Sequence, residues 1–87
     1  MKLKDQVSIV TGGGRGIGRA IALAFAKEGS HVAVVARTES EIQSVAQEII
    51  TFGGKAIAIR TDVTDELQVK SMVKEVLSNF GKIDILV

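Results

Sequence analysis

No cysteine occurs among the 87 residues. Disulfide bonds, thiolate nucleophiles and cysteine-ligated zinc are thereby excluded. A single histidine, His31, is too few for a histidine metal cluster. Tryptophan and tyrosine are absent and there are only three phenylalanines, so the aromatic platforms on which single-stranded nucleic acid stacks are missing. Charge of one sign is lacking too. The 11 basic and 10 acidic residues leave a net charge of +1, which gives no pull toward nucleic acid or an anionic membrane surface. No apolar run approaches the roughly 20 residues of a membrane span. The opening Met1-Lys2-Leu3-Lys4-Asp5-Gln6 lacks the apolar core of a signal peptide. A cytoplasmic setting is the resulting expectation.

Apolar residues make up 46% of the chain, enough to build a core, and the length suits one small domain over residues 1–87. Five of the nine glycines crowd into Thr11–Gly18, which reads Thr-Gly-Gly-Gly-Arg-Gly-Ile-Gly. The apolar run Val7–Val10 leads into this stretch. A helical pattern leads out of it, with Ile17, Ala20, Ile21, Ala24 and Phe25 on the expected buried stripe. Strand, glycine loop and helix N-terminus in that order suit an anion, because glycine permits close approach and the first helical turn offers unpaired N–H groups. A diphosphate is the natural guest. The P-loop pattern fails, since Arg19-Ala20 stands where Lys-Ser/Thr is needed to hold magnesium, and G-x-G-x-x-G fits in no register. The spacing that fits is Gly12-x-x-x-Gly16-x-Gly18. The competing reading is a merely flexible turn.

Further along, Val32–Ala36 reads as a second strand, apolar on both faces. Thr38 and Glu41 have capping-box spacing ahead of a second helix, whose buried stripe is Ile42, Val45, Ala46, Ile49 and Ile50. Ala56–Ile59 is a third strand. Thr64 is the expected N-cap of a third helix lined by Val69, Met72, Val73, Val76, Leu77 and Phe80, with Glu66 and Lys70 as an exposed pair. Ile83–Val87 is a fourth strand. Alternation of this kind predicts an α/β fold, βαβαβαβ, with a parallel sheet. Right-handed crossovers place the first two helices on one face and the third on the other if the order is 3-2-1-4. One helix is thin cover for an apolar sheet face, so the pattern predicts an incomplete doubly wound, Rossmann-type fold that continues beyond Val87. The alternative is a small domain that covers its bare face by self-association.

Thr11–Ile21, Asp62-Val63 and Asp84-Ile85-Leu86-Val87 together resemble the short-chain dehydrogenase/reductase family, in order and across the whole chain. The flavour is that of 3-oxoacyl-(acyl-carrier-protein) reductases or sugar and alcohol dehydrogenases. The resemblance implies hydride transfer between a nicotinamide cofactor and a small-molecule carbonyl or alcohol, in a homo-oligomer when full length. It implies cofactor contacts from Thr11, Gly12, Gly14, Arg15, Gly16, Ile17 and Gly18, with Thr11 fixing the loop backbone. It also implies adenine contacts from Asp62 and Val63; their bland readings are a capping acid and a buried apolar residue. The family's Asn-Asn-Ala-Gly, its catalytic Ser and its Tyr-x-x-x-Lys pair find no counterpart in these residues, which hold no tyrosine. No catalytic residue is therefore assigned, and the chain alone is expected to be inactive.

Arg37 and Thr38 bear on the choice of cofactor. About 20 residues past the glycines, an acidic residue marks NAD, while arginine accommodates the 2′-phosphate of NADP. Arg37 stands there, and Arg15 resembles the family's second basic contact, so NADP is expected over NAD. Glu39 reads as a first-turn acid favoured by the helix dipole. His31 reads as structural, in the turn before the second strand. Two other classes remain open: a non-catalytic dinucleotide-binding or interaction module, and an S-adenosylmethionine-binding relative, which Arg37 disfavours.

Overall fold

The computed structural model describes residues 2–87. Its elements are β1 (Val7–Thr11), α1 (Gly16–Lys27), β2 (His31–Ala36), α2 (Glu39–Thr51), β3 (Lys55–Arg60), α3 (Glu66–Phe80) and β4 (Ile85–Leu86). The four strands form one sheet in the order β3-β2-β1-β4, and every pairing is parallel. This is the order 3-2-1-4 that the crossover argument predicts.

Successive residues of a strand point to opposite faces, and both faces here are apolar. Val10, Val32 and Val34 meet Ala22 and Ala26 of α1 and Ile42, Val45 and Ile49 of α2 on one side. Val7, Ile9, Ala33, Val35 and Ile59 meet Met72 and Val76 of α3 on the other. Two helices thus cover one face and one covers the second. Arg19 and Glu48 tie α1 to α2 at 2.7 Å. Glu66 and Lys70 form the expected exposed pair at 3.4 Å. Ile50 and Leu77, expected in the buried stripes, are exposed. His31 opens β2 rather than preceding it, and its ring lies tilted against Phe80 with centroids 5.3 Å apart.

The buried line of α1 differs from the periodicity of its large residues. Ala22 and Ala26 are buried, whereas Ile17, Ala20 and Ala24 are exposed and Ile21 and Phe25 pack only partly. The helix phase is set by Gly18, one turn before Ala22, which must face the end of β1. The small residues that follow it at i+4 and i+8 then lie against the sheet and allow close approach.

Two helix starts also depart from the sequence reading. Thr38 is the N-cap of α2, but its side chain makes no capping hydrogen bond, so the Thr38–Glu41 capping box does not form. The N-cap of α3 is Asp65 rather than Thr64, and its carboxylate accepts from the N–H groups of Leu67 and Gln68. Thr64 is diverted: its N–H and hydroxyl both donate to Asp62 Oδ1, at 2.9 and 2.6 Å.

The β4 ladder is shorter than the Ile83–Val87 run. A side chain replaces its first rung: the Val7 N–H donates to Asp84 Oδ2 at 2.8 Å, and Lys82 Nζ lies 3.0 Å from the same oxygen. Backbone bonds continue on either side, from Asp84 N–H to the Val7 carbonyl and from Val87 N–H to the Ile9 carbonyl.

The hydrogen bond from Val7 and the contact with Lys82 hold the Asp84 carboxyl below its ordinary value of 3.8. A carboxyl depressed in the folded state adds stability above its unfolded value and loses it as pH falls through the folded value. Urea denaturation is therefore expected to show stability falling below about pH 3.8, with Asp84→Asn less stable at neutral pH and flatter over that acid limb. Identical acid limbs in the two proteins would contradict the role given to Asp84.

Candidate functional site

Three loops leave the C-terminal ends of β1, β2 and β3, which are neighbours in the sheet. They enclose a cavity of about 400 Å³. The first loop contributes Gly12, Gly14 and Arg15; the second contributes Arg37 and Thr38 beyond Ala36, with Glu41 from α2; the third contributes Thr61, Asp62, Val63 and Thr64. Seven residues singled out in the sequence, namely Gly12, Gly14, Arg15, Arg37, Thr38, Asp62 and Val63, are thus brought together from three separate segments. Gly16, Ile17 and Gly18 form the first turn of α1 instead, and Ile17 is 81% exposed.

The hydroxyl of Thr11 donates to the Val87 carbonyl at 2.7 Å, and the Thr11 N–H donates to the same oxygen at 3.0 Å. These bonds fix the end of β4 against β1.

The loop has the shape of a cradle for a physical reason. Gly12 has φ +64°, and a Cβ on Gly18 would lie 2.0 Å from the Gly12 carbonyl oxygen. The helix can begin directly against the chain leaving β1 only because Gly18 has no side chain. Arg15 is the N-cap of α1, no side chain caps the first turn, and that turn holds no acidic residue. The positive end of the helix is therefore neither capped nor neutralised from within the helix, which favours an anion placed there.

Charge around the cavity is uneven. Arg37 forms no ion pair among the described residues, and its carbonyl accepts from Arg60 Nε at 3.2 Å. Arg15 Nε lies 3.8 Å from Glu41 Oε2. The two hydrogen bonds from Thr64, helped by Arg37 and Arg60, hold the Asp62 carboxyl below its ordinary value. Oδ1 takes both of those bonds, and Oδ2 accepts none among the described residues. Sequence reasoning missed Glu41 as a cavity residue, because its place three residues after Thr38 was already explained by the capping box. The signal available was its position in the first turn of α2, beside the loop that ends β2.

A wider groove of about 530 Å³ lies at the other end of the strands, lined among others by Lys4, Lys27, Phe52 and Lys55. The C-terminal ends of α1 and α2 border it, with Lys27 over the Phe52 ring. The negative ends of two helices there are opposed by the charges of Lys4, Lys27 and Lys55. Among the described residues no group of three His, Asp or Glu side chains could hold a metal, and no helix is long and apolar enough to cross a membrane.

Residues 6–87 match the family model described as short chain dehydrogenase. The chain is 47% identical over 81 residues to the 3-oxoacyl-(acyl-carrier-protein) reductase FabG of Staphylococcus aureus, covering 92% of this chain and 33% of that one. A hydroxysteroid dehydrogenase from Escherichia coli superposes with a TM-score of 0.96 at 38% identity, over 98% of this chain and 36% of the other. A metagenomic short-chain oxidoreductase in complex with NADP gives a TM-score of 0.92 at 34% identity, over 99% and 39%. The chain spans at most 35% of the length of the curated relatives and at most 39% of the solved chains it matches.

Alanine at two glycines separates contact from conformation. Gly18→Ala forces a backbone clash and is expected to cost about 1–3 kcal/mol or more, lowering the thermal midpoint by at least about 4 °C. Gly12→Ala meets nothing within 4 Å and should cost only the strain of positive φ, about 1–2 kcal/mol. Circular dichroism melts of both variants check this; an unchanged midpoint for Gly18→Ala would disprove the close approach.

Proposed function

The chain belongs to the short-chain dehydrogenase family, and from that premise we propose that residues 1–87 form the NADP(H)-binding domain of a nicotinamide-dependent oxidoreductase. The substrate is a small-molecule carbonyl or alcohol. When bound, the nicotinamide ring supplies or accepts the hydride. Everything this chain contributes is binding and orientation, because it holds no tyrosine and so lacks the family's proton donor; by itself we assign it no turnover.

One observation carries the reading. Arg37, without an ion pair, and Arg15 line one cavity next to a helix start that no side chain caps. The first turn of α1, at Gly16, Ile17 and Gly18, would hold the diphosphate, since its N–H groups and the dipole favour negative charge. Arg15, Arg37 and Thr38 would hold the ribose 2′-phosphate. Val63 would wall the adenine and Asp62, whose Oδ1 takes both bonds from Thr64, would accept from its amino group. Gly12 and Gly14 keep the loop free of side chains where the cofactor passes, and Thr11 acts one step back by anchoring β4. Similarity to a relative solved with NADP supports the choice of cofactor, and similarity to a 3-oxoacyl reductase supports a thioester-bound ketone as the substrate class. A cytoplasmic homo-oligomer is the expected form.

Charge-assisted hydrogen bonds contribute about 1.5–3 kcal/mol each. Arg37→Asp is therefore expected to weaken NADPH binding by about 10- to 150-fold while affecting NADH far less. NADPH emission reads this cleanly, since the chain has no tryptophan or tyrosine to interfere. A preference for NADPH that survives the substitution would remove Arg37 from the site.

A further inference from the structure

Two acids line the cavity, Asp62 and Glu41; Glu41 is the one that pairs with Arg15, an arginine we assign to the 2′-phosphate. We infer that the Glu41 carboxylate competes with an incoming phosphate monoester for Arg15, and so limits how strongly a 2′-phosphorylated dinucleotide is preferred over an unphosphorylated one. The inference rests on the proposed function and concerns the strength of the cofactor preference, not its existence.

Glu41 is held in place from two sides. Its backbone is in α2, where its N–H donates to the Thr38 carbonyl at 3.2 Å. The glycine loop presses on it: a Cβ on Gly14 would lie 2.8 Å from Glu41 Cβ. The carboxylate therefore cannot withdraw by moving the backbone. Arg15 is the more exposed partner, with its side chain 85% exposed against 33% for Glu41.

Two opposite effects follow from this pairing, and exposure decides between them. Glu41 could help by holding Arg15 ready for a phosphate. At 3.8 Å to Nε, on a side chain that is almost wholly solvated, it orders Arg15 little. It could instead hinder, since a phosphate taking Arg15 must share the guanidinium with a neighbouring carboxylate of like charge. Repulsion between two like charges at one guanidinium outweighs weak ordering of a solvated side chain. An unphosphorylated ribose brings no second charge to this corner, so its binding should be indifferent to Glu41.

The test is a binding cycle on the full chain with NADPH, NADH and adenosine 2′-phosphate as probes. Glu41→Gln keeps the size of the side chain and removes the charge. It is expected to tighten NADPH and adenosine 2′-phosphate by about three- to tenfold and to leave NADH within about twofold, with the gain shrinking as salt rises. In an Arg15→Gln background the same change should yield no gain, because the competition needs Arg15. Weaker NADPH binding by Glu41→Gln, an equal change for NADH, or a gain that persists without Arg15 would each overturn the inference while leaving the dinucleotide reading intact. Failure of NADPH and NADH alike to bind the unsubstituted chain would overturn both.

Discussion

The contact between Gly18 and the carbonyl of Gly12 governs the rest of the site. Bringing the first turn of a helix directly against the chain leaving a central strand is possible only where a side chain is missing. Once made, the contact sets the rotation of α1, so that Ala22 and Ala26 follow Gly18 onto the sheet and Ile17 turns outward. It also places the uncapped helix start at the mouth of the cavity, where backbone N–H groups and the helix dipole act together. The chemistry of the site thus begins with a steric allowance rather than with a charged residue.

Sheet order then determines which residues can cooperate. β1, β2 and β3 are adjacent, so the loops after them converge although Gly12, Arg37 and Asp62 are far apart in the chain. A different order would scatter the same residues along an edge. The crossovers send α1 and α2 to one face and α3 to the other, and ligands in open parallel sheets bind beyond the carboxyl ends of the strands near such a reversal.

Sheet architecture was legible because long-range order here rests on strong, redundant signals. Apolar strands, glycine stops and helical stripes agree, and crossover handedness leaves few arrangements. The glycine loop and Arg37 were legible because few physical reasons place such residues at those positions. What escaped was decided by tertiary contact. Large residues suggested the wrong rotation for α1, since the close approach at Gly18 outranks side-chain burial. Thr38 and Glu41 have capping spacing, yet Glu41 lies against the glycine loop beside Arg15. Thr64 lost the N-cap to Asp65 because Asp62 captures its N–H and hydroxyl. Thr11 depends on a carbonyl 76 residues away, which no local pattern reveals.

β1 is made before the other three strands and is an interior strand of the sheet, with β2 on one side and β4 on the other. The Val7 N–H finds its acceptor in a carboxylate 77 residues later. At about 5–20 residues per second of synthesis, this strand waits roughly 4–15 seconds for its second neighbour. During that interval the strand nearest the glycine loop is a one-sided template, open to pairing with the wrong chain. Its rescue on the ribosome depends on how quickly α1 and β2 close over it. Early maturation, as well as final stability, is then a stage at which a change in these first elements would do harm.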